Sequence, residues 1–265
     1  MRLDMSDKQD IKEQVRKKYS QIANSDNNNC GCSQSCCSPS QPAKNNLTQT
    51  GYPSDELSSI PEGAKSGLGC GNPILIAGLK SGETVLDLGC GGGIDCFLAA
   101  EKVGEKGNVI GIDMTREMIK LARDNAREYN STNIEFRLGE IEHLPITDNS
   151  IDVVISNCVI NLSTDKQTVF DEIYRVLKKG GRLAITDIIA ATELPEEIKK
   201  DLEKYTGCVA GAASLDELET YLINSNFSGI QIDLIGTSKT MIKDWFPGSK
   251  AEDFVASAII KAQKR

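Results

Sequence analysis

Histidine is almost absent from the chain: His143 is the only one in 265 residues. A zinc site built on several histidines is therefore excluded, and a Ser–His–Asp triad would have to use that single residue. His143 lies in Glu142-His143-Leu144-Pro145, a loop segment where an exposed, non-catalytic histidine is expected. Basic residues are in deficit, 30 Lys and Arg against 38 Asp and Glu, for a formal net charge of −8. That balance gives no electrostatic footprint for DNA, RNA or an anionic membrane, so neither nucleic acid nor membrane is an expected partner. No apolar run approaches the roughly 20 residues that a membrane-spanning helix needs. The charged stretch from Met1 to Lys18 lacks the apolar core of a secretory signal, and the expected compartment is the cytoplasm.

Cysteine is present in excess. There are nine, an odd number, and a reducing compartment keeps them mostly as thiols. Catalytic, ion-binding or redox roles then outweigh a static disulfide framework.

Hydrophobic periodicity divides the chain into three parts. Residues 1–50 read as a charged helix over 4–23, with a thin stripe of Ile11, Val15 and Ile22, followed by a flexible cysteine-rich linker. Residues 51–190 open with short helices at Ser54–Ile60 and Pro73–Leu79. Strands then alternate with helices: strands at Thr84–Leu88, Asn108–Ile112, Ile134–Leu138, Ile151–Ile155 and Arg182–Ile188, helices at Ile94–Lys102, Arg116–Tyr129 and Lys166–Leu177. This spacing predicts an α/β fold with a doubly wound, mostly parallel sheet and helices on both faces. In residues 191–265 the alternation breaks. A helical stretch over 195–225 and strands at Ile230–Ile235 and Phe254–Ile260 are expected to close the sheet and to hang a lobe over its C-terminal edge.

Asp87-Leu88-Gly89-Cys90-Gly91-Gly92-Gly93 follows the first strand and opens the first helix of the alternating part. Glycines there allow a sharp turn and close approach to a ligand. The spacing is G-x-G-x-G rather than the G-x-G-x-x-G of dinucleotide sites, with Asp87 two positions ahead of Gly89. Asp113 ends the second strand, where a carboxylate can hold ribose hydroxyls. A ligand with an amino-acid end and a nucleoside suits this set; a dinucleotide site and a purely structural turn are the alternatives. The segment over roughly residues 80–190 resembles the class I, Rossmann-like methyltransferases, whose sheet has seven strands and whose cofactor is S-adenosylmethionine. The resemblance implies cofactor contacts from Asp87, Gly89, Gly91, Gly93, Asp113, Met114, Glu140, Ile141 and Asn157.

A fold does not choose a substrate. Cys158, in Ser156-Asn157-Cys158-Val159-Ile160-Asn161-Leu162, lies at the C-terminal end of the fourth strand, where ligands of such sheets bind. Cys70, in Gly69-Cys70-Gly71-Asn72-Pro73, and Cys208, in Gly207-Cys208-Val209-Ala210-Gly211-Ala212, reach the same crevice if the flanking segments cover it. Three thiolates without histidine select a soft, thiophilic ion. Trivalent arsenic is one; bound by three sulfurs it is pyramidal and keeps an exposed lone pair. That lone pair can attack a sulfonium methyl in line with no general base, so the protein's work is placement.

On these motifs, together with Asp95-Cys96-Phe97-Leu98-Ala99-Ala100, the chain resembles the arsenite methyltransferases over about residues 52–261. The resemblance implies that Cys70, Cys158 and Cys208 bind arsenic, and that the substrates are arsenite and methylated trivalent arsenicals. Its implied products are methylated arsenic and S-adenosylhomocysteine, the physiological role being arsenic detoxification. It implies a thiol reductant, thioredoxin or glutathione, and no catalytic metal ion. It further implies a transient disulfide between Cys70 and an N-terminal cysteine, for which Cys36 and Cys37 are the candidates; the pair could instead load the substrate, or be incidental thiols of a tail. Tyr19 either folds over the cofactor, as family members suggest, or simply packs. Cys90 is expected to be a small residue of the turn, and Cys96 a packed one. Two other readings stay open: a methyltransferase for a small organic acceptor, and a thiol-based metalloid-binding protein without turnover.

Overall fold

Strand β1 (Thr84–Leu88) alternates Val85 and Leu86 between two buried faces, and the rest of the protein is layered on those faces. A computed structural model describes residues 5–25, 47–48, 50–65, 69–195, 198, 205, 208–236, 238–245 and 250–265. Beside β1 stand β2 (Asn108–Asp113), β3 (Ile134–Leu138), β4 (Ile151–Asn157), β5 (Leu177–Ala190), β6 (Phe227–Leu234) and β7 (Val255–Lys264). They form one seven-stranded sheet in the order β3-β2-β1-β4-β5-β7-β6. All pairings from β3 through β5 are parallel, whereas β7 runs antiparallel to both β5 and β6. The doubly wound, mostly parallel sheet expected from the sequence is thus the observed one.

Helices cover both faces. On one, Val85, Val109, Val153 and Ile155 pack with Phe97, Ala99 and Val103 of α4 (Ile94–Val103) and Ile119 and Ala122 of α5 (Arg116–Tyr129). On the other, Leu86, Ile112, Val154 and Ile185 pack with Phe170 and Ile173 of α6 (Lys166–Val176) and Leu218 and Leu222 of α7 (Leu215–Asn224). The sequence supplies the helix starts. Asn72 caps α3 (Pro73–Ala77) by accepting from Ile74 N and Leu75 N, Asp165 caps α6 at Thr168 N, and Ser214 with Glu217 forms a reciprocal capping box on α7. The N-terminal α1 (Met5–Ser25) packs on α5 through Ala23, Met118 and Leu121, with α2 (Ser54–Ser58) further along and α8 (Ser238–Trp245) in the C-terminal part.

Several boundaries move. Leu177 opens β5 by pairing with Ile151, rather than ending α6, because a register shift between Ile151 and Val153 absorbs the Gly180-Gly181 turn. The helix at Pro73 stops at Ala77 because Gly78 adopts a left-handed φ of 56°. Of the helix expected over 195–225 the structure shows α7, whereas residues 208–214 form turns and loop; residues 196–197, 199–204 and 206–207 lie outside the described residues.

Strand order reverses at β1, which has β2 on one side and β4 on the other. The crevice beyond the C-terminal ends of these strands is where such sheets bind ligands. Asp87, Asp113 and Asn157 stand at those ends.

Candidate active site

On the β1–β2 side, Gly89, Gly91 and Gly93 have φ of 68°, 51° and 99°, a left-handed run that side chains disfavour. The turn is tied to β2: Gly89 N and Cys90 N both donate to Ile112 O, and Gly91 N donates to Asp113 Oδ2 at 3.1 Å. The other oxygen of Asp113 accepts from Thr115 N at 2.8 Å. Asp87 is buried and accepts from Cys96 Sγ at 3.2 Å, while the Asp95 carboxylate accepts from Tyr52 OH at 2.7 Å. Burial raises the pKa of Asp87, Asp95 and Asp113, that of Asp95 to about 6, and among the described residues no cation acts on any of the three. Buried carboxylates without a cationic partner are costly. This end of the crevice is therefore suited to a ligand that brings positive charge.

Met114 is half-buried after Asp113. Glu140 and Ile141 follow β3 as expected, but the Glu140 carboxylate is engaged by α1. Lys12 Nζ lies 2.9 Å from Glu140 and 3.3 Å from Glu142, and Arg16 reaches Glu140 at 3.2 Å. The Lys12 hydrogen bond holds the Glu140 carboxyl below its usual range. His143 is exposed. Tyr19, on α1, is half-buried. The charges of Cys208, Cys158, Asp113 and Asp187 would all act on its phenol, whose pKa burial already raises. It thus stands near both the glycine turn and the cysteines.

On the β4–β5 side, Cys70, Cys158 and Cys208 come together. All three are buried and free, in a small cluster with Ile188, Val209 and Val255 that is separate from the two sheet-face cores. Cys158 is central: its thiol acts electrostatically on those of both Cys70 and Cys208, and Cys208 Sγ donates to Cys158 O at 2.8 Å. Burial raises the pKa of Cys70; for Cys158 and Cys208 the neighbouring thiols act first and burial adds, leaving both well above the ordinary value. All three are therefore protonated at neutral pH. Cys158 and Cys208 have φ of 61° and 67°. The other described non-glycine residues with positive φ are three asparagines, which tolerate it, and Lys250. Backbone strain of this kind persists only where the surroundings enforce it, and it concentrates at functional sites.

Asn157 fixes the Cys70 loop to the sheet. Its Oδ1 accepts from Cys70 N at 3.0 Å and from Thr186 Oγ1 at 3.1 Å, and its Nδ2 donates to Tyr52 OH and Gly71 O, both at 2.8 Å. A Cβ on Gly71 would stand 2.8 Å from the Thr186 side chain, so only glycine lets the loop lie this close to β5. Cys70 and Gly71 also line a cavity of about 260 Å³ with Asn72, Thr186, Ser238 and Met241, which opens toward solvent and has no charged residue in its wall among the described residues.

Sequence reasoning did not single out Asp187, Thr186, Tyr52 or Asp95. Asp187 on β5 is 2% exposed, and one of its carboxylate oxygens lies within 4.8 Å of the sulfurs of Cys70 and Cys158. It accepts from Ile160 N at 2.9 Å, Asn161 Nδ2 at 2.9 Å and Ile188 N at 2.7 Å, and burial raises its pKa to about 6. The available signal was a polar Thr186-Asp187 pair inside the apolar run Leu183 to Ala190. Cys90 and Cys96 are buried beside the glycine turn. Cys36 and Cys37 lie outside the described residues.

A profile of the methyltransferase-domain family matches residues 79–231. An arsenite methyltransferase of Halobacterium salinarum is 45% identical over 97% of this chain and 68% of its own length. An arsenite methyltransferase of Aquipseudomonas alcaligenes is 41% identical over 60% of this chain and 47% of its own. Among solved structures, an arsenic(III) S-adenosylmethionine methyltransferase of Chlamydomonas reinhardtii is 32% identical, with a TM-score of 0.62 over 85% of this chain and 74% of that one. The chain therefore spans about two thirds of the archaeal relative and about half of the bacterial one.

Proposed function

The chain belongs to the arsenite methyltransferase family, whose cofactor is S-adenosylmethionine, and from that premise we propose that it methylates trivalent arsenic held by Cys70, Cys158 and Cys208. The observation that carries this reading is the buried row of three thiols at the C-terminal edge of β4 and β5, two of them in left-handed backbone. A generic small-molecule acceptor would need neither the sulfurs nor the strain.

The residues of the β1–β2 side suit the cofactor. Asp87 and Asp95 are buried and Asp113 half-buried, none with a cationic partner among the described residues, and S-adenosylmethionine carries ammonium and sulfonium charges. Asp87 and the glycine turn would take its amino-acid end, Asp113 the ribose, and Met114 with Glu140 and Ile141 after β3 the base. When bound, the cofactor supplies an electrophilic methyl group to the arsenic lone pair. The remaining work belongs to the chain. Cys158 stands between the other two thiols, so one arsenic seated there can meet all three sulfurs with small adjustments. Each protonated thiol exchanges with one hydroxyl of arsenous acid, and three waters leave. No side chain has to accept a proton, which agrees with thiols kept protonated by their surroundings.

Methylation consumes the arsenic lone pair and leaves the atom formally pentavalent. Two thiolates return two electrons by closing a disulfide, which yields a methylated trivalent arsenical and calls for an external thiol reductant such as thioredoxin or glutathione. Cys70 with Cys36 or Cys37 is the pair suggested by the family resemblance. Such a reaction serves arsenic detoxification. Among the described residues no helix is long and apolar enough to cross a membrane.

The test is direct. Full-length protein incubated with arsenite, reductant and methyl-labelled S-adenosylmethionine should yield labelled methylarsenic, and Cys158→Ser should bind cofactor but give none. No labelled arsenic at any reductant concentration would end this reading; full activity in the serine variant would end the assignment of the thiols.

A further inference from the structure

Arsenic(III) needs three ligands and a free side for its lone pair, yet the structure offers a fourth donor. One carboxylate oxygen of Asp187 and the sulfurs of Cys70 and Cys158 all lie within 4.8 Å of one another. Cys208 is outside that group but adjoins it, its Sγ donating to Cys158 O at 2.8 Å, so a side-chain rotation would bring in the third sulfur. Three sulfurs and one oxygen match the four-coordinate, tetrahedral preference of zinc, whose structural sites use the same donor types. A three-coordinate pyramidal ion has no use for the oxygen. Asp187 is also built to act as a fixed ligand. It is buried, and three donors from Ile160, Asn161 and Ile188 orient its carboxylate, which parallels the outer hydrogen bonds that hold ligating carboxylates elsewhere. Oδ2 accepts from Ile160 N and has a second lone pair. The charge of Lys166 acts on both Asp187 and Cys208, so four anionic donors around a dication would not stand without a counter-charge.

We propose that Cys70, Cys158, Cys208 and Asp187 form a site for a soft divalent cation of the zinc and cadmium type, which competes with arsenic for the same sulfurs. This rests on the arsenic reading above. On binding, the cation takes three thiolates and the carboxylate and releases three thiol protons to solvent, with no change of oxidation state. A d10 cation with four ligands offers no lone pair to a methyl donor, so its complex is a dead end that arsenite must displace. The enzyme is then under restraint by cellular zinc, and arsenic methylation begins only when arsenic outcompetes it.

The test uses full-length protein in which Cys30, Cys32, Cys36 and Cys37 are replaced by serine, so that the N-terminal cysteines take up no metal. Cadmium chloride should bind with 1:1 stoichiometry, read by the ultraviolet thiolate-to-cadmium charge-transfer band, and arsenite should reverse the signal. Cys158→Ser should abolish both. Asp187→Asn should weaken cadmium at least tenfold more than it weakens arsenite. Should that variant not fold, X-ray absorption of the zinc-loaded parent decides: three sulfurs at about 2.3 Å and one oxygen at about 2.0–2.1 Å are expected. A sulfur-only or nitrogen-containing shell, or equal losses of cadmium and arsenite affinity in Asp187→Asn, overturns the proposal and leaves the arsenic reading standing. Failure of arsenite itself to bind the parent protein overturns the arsenic reading instead.

Discussion

Replacing Asn157 by alanine should unfasten Cys70 while sparing the sheet. In the folded protein the Asn157 carbonyl oxygen takes the Cys70 amide at 3.0 Å and the Thr186 hydroxyl at 3.1 Å, and its amide nitrogen reaches Gly71 O and Tyr52 OH at 2.8 Å. Truncation leaves two of these groups stranded, the Cys70 N–H and the Gly71 C=O. The Thr186 hydroxyl can rotate, and Tyr52 keeps Asp95 as its acceptor. A buried polar group left unpaired costs about 1–3 kcal/mol, so the loss should be roughly 2–6 kcal/mol, large against the roughly 5–15 kcal/mol of a typical domain. If the loop frees itself to find water, part of that loss is recovered, and the cost moves to binding, because arsenic must then order Cys70. Fixing one residue's backbone costs about 1–2 kcal/mol, so arsenite affinity should fall roughly tenfold. Urea denaturation gives the first quantity. Equilibrium dialysis with arsenite gives the second, and calorimetry with S-adenosylhomocysteine serves as control. Thr186→Val, which removes one donor and strands nothing on the Cys70 loop, should cost about 1 kcal/mol or less. Unchanged stability with arsenite affinity within twofold of wild type would refute the reasoning. A loss confined to cofactor affinity would return Asn157 to the cofactor role that its position at the end of β4 suggests.

Cys158→Gly should relieve the left-handed backbone at φ 61° and keep stability within about 1 kcal/mol in urea titration while arsenite methylation is lost; serine there should keep the strain and lose activity equally. The two carboxyls with pKa near 6, Asp95 and Asp187, bind a proton in the folded state that the unfolded chain lacks between about pH 4 and 6. Stability of the free enzyme should therefore fall as pH rises through that window and level off above it, by roughly 3 kcal/mol for Asp187. Asp187→Asn should remove its share of the slope, and an identical slope in variant and wild type would contradict the assignment. The paired change Lys12→Ala and Arg16→Ala removes half-exposed ion pairs worth about 0.2–1 kcal/mol each, and hydrogen exchange over residues 8–24 should speed by about that equivalent, more at low salt.

The parts of the fold set by local signals were legible in the sequence. The β1 turn, the capped helices and the apolar β4 run each carry their own information, and all five parallel strands fall within a few residues of their expected places. Boundaries that depended on tertiary pairing were not. Leu177 looks like a last helical residue until Ile151 is beside it, and β7 extends to Lys264 only because β5 and β6 flank it. The same division runs through the site. Cys158 could be placed from topology, since it follows a strand of known direction. Cys70 and Cys208 depended on segments far apart in the chain folding over one crevice. Asp187 carried a polar signal inside a hydrophobic strand, but nothing local says which face of β5 it occupies or that two cysteines wait there. Lys12 and Arg16 read as an ordinary solvated helix face; only the packing of α1 on α5 turns them toward Glu140.

The protonated state of the three buried thiols bears on how the protein survives between encounters with its substrate. Oxidants such as peroxide attack thiolates far faster than thiols, and the surroundings hold Cys70, Cys158 and Cys208 in the thiol form. In the proposed reaction the chemistry that arms them is carried by the incoming arsenous acid, whose hydroxyls leave as water. On that scheme a resting molecule has a long shelf life in an oxidising episode, and it becomes vulnerable only in the brief interval after methyl transfer, when two of its sulfurs are to oxidise.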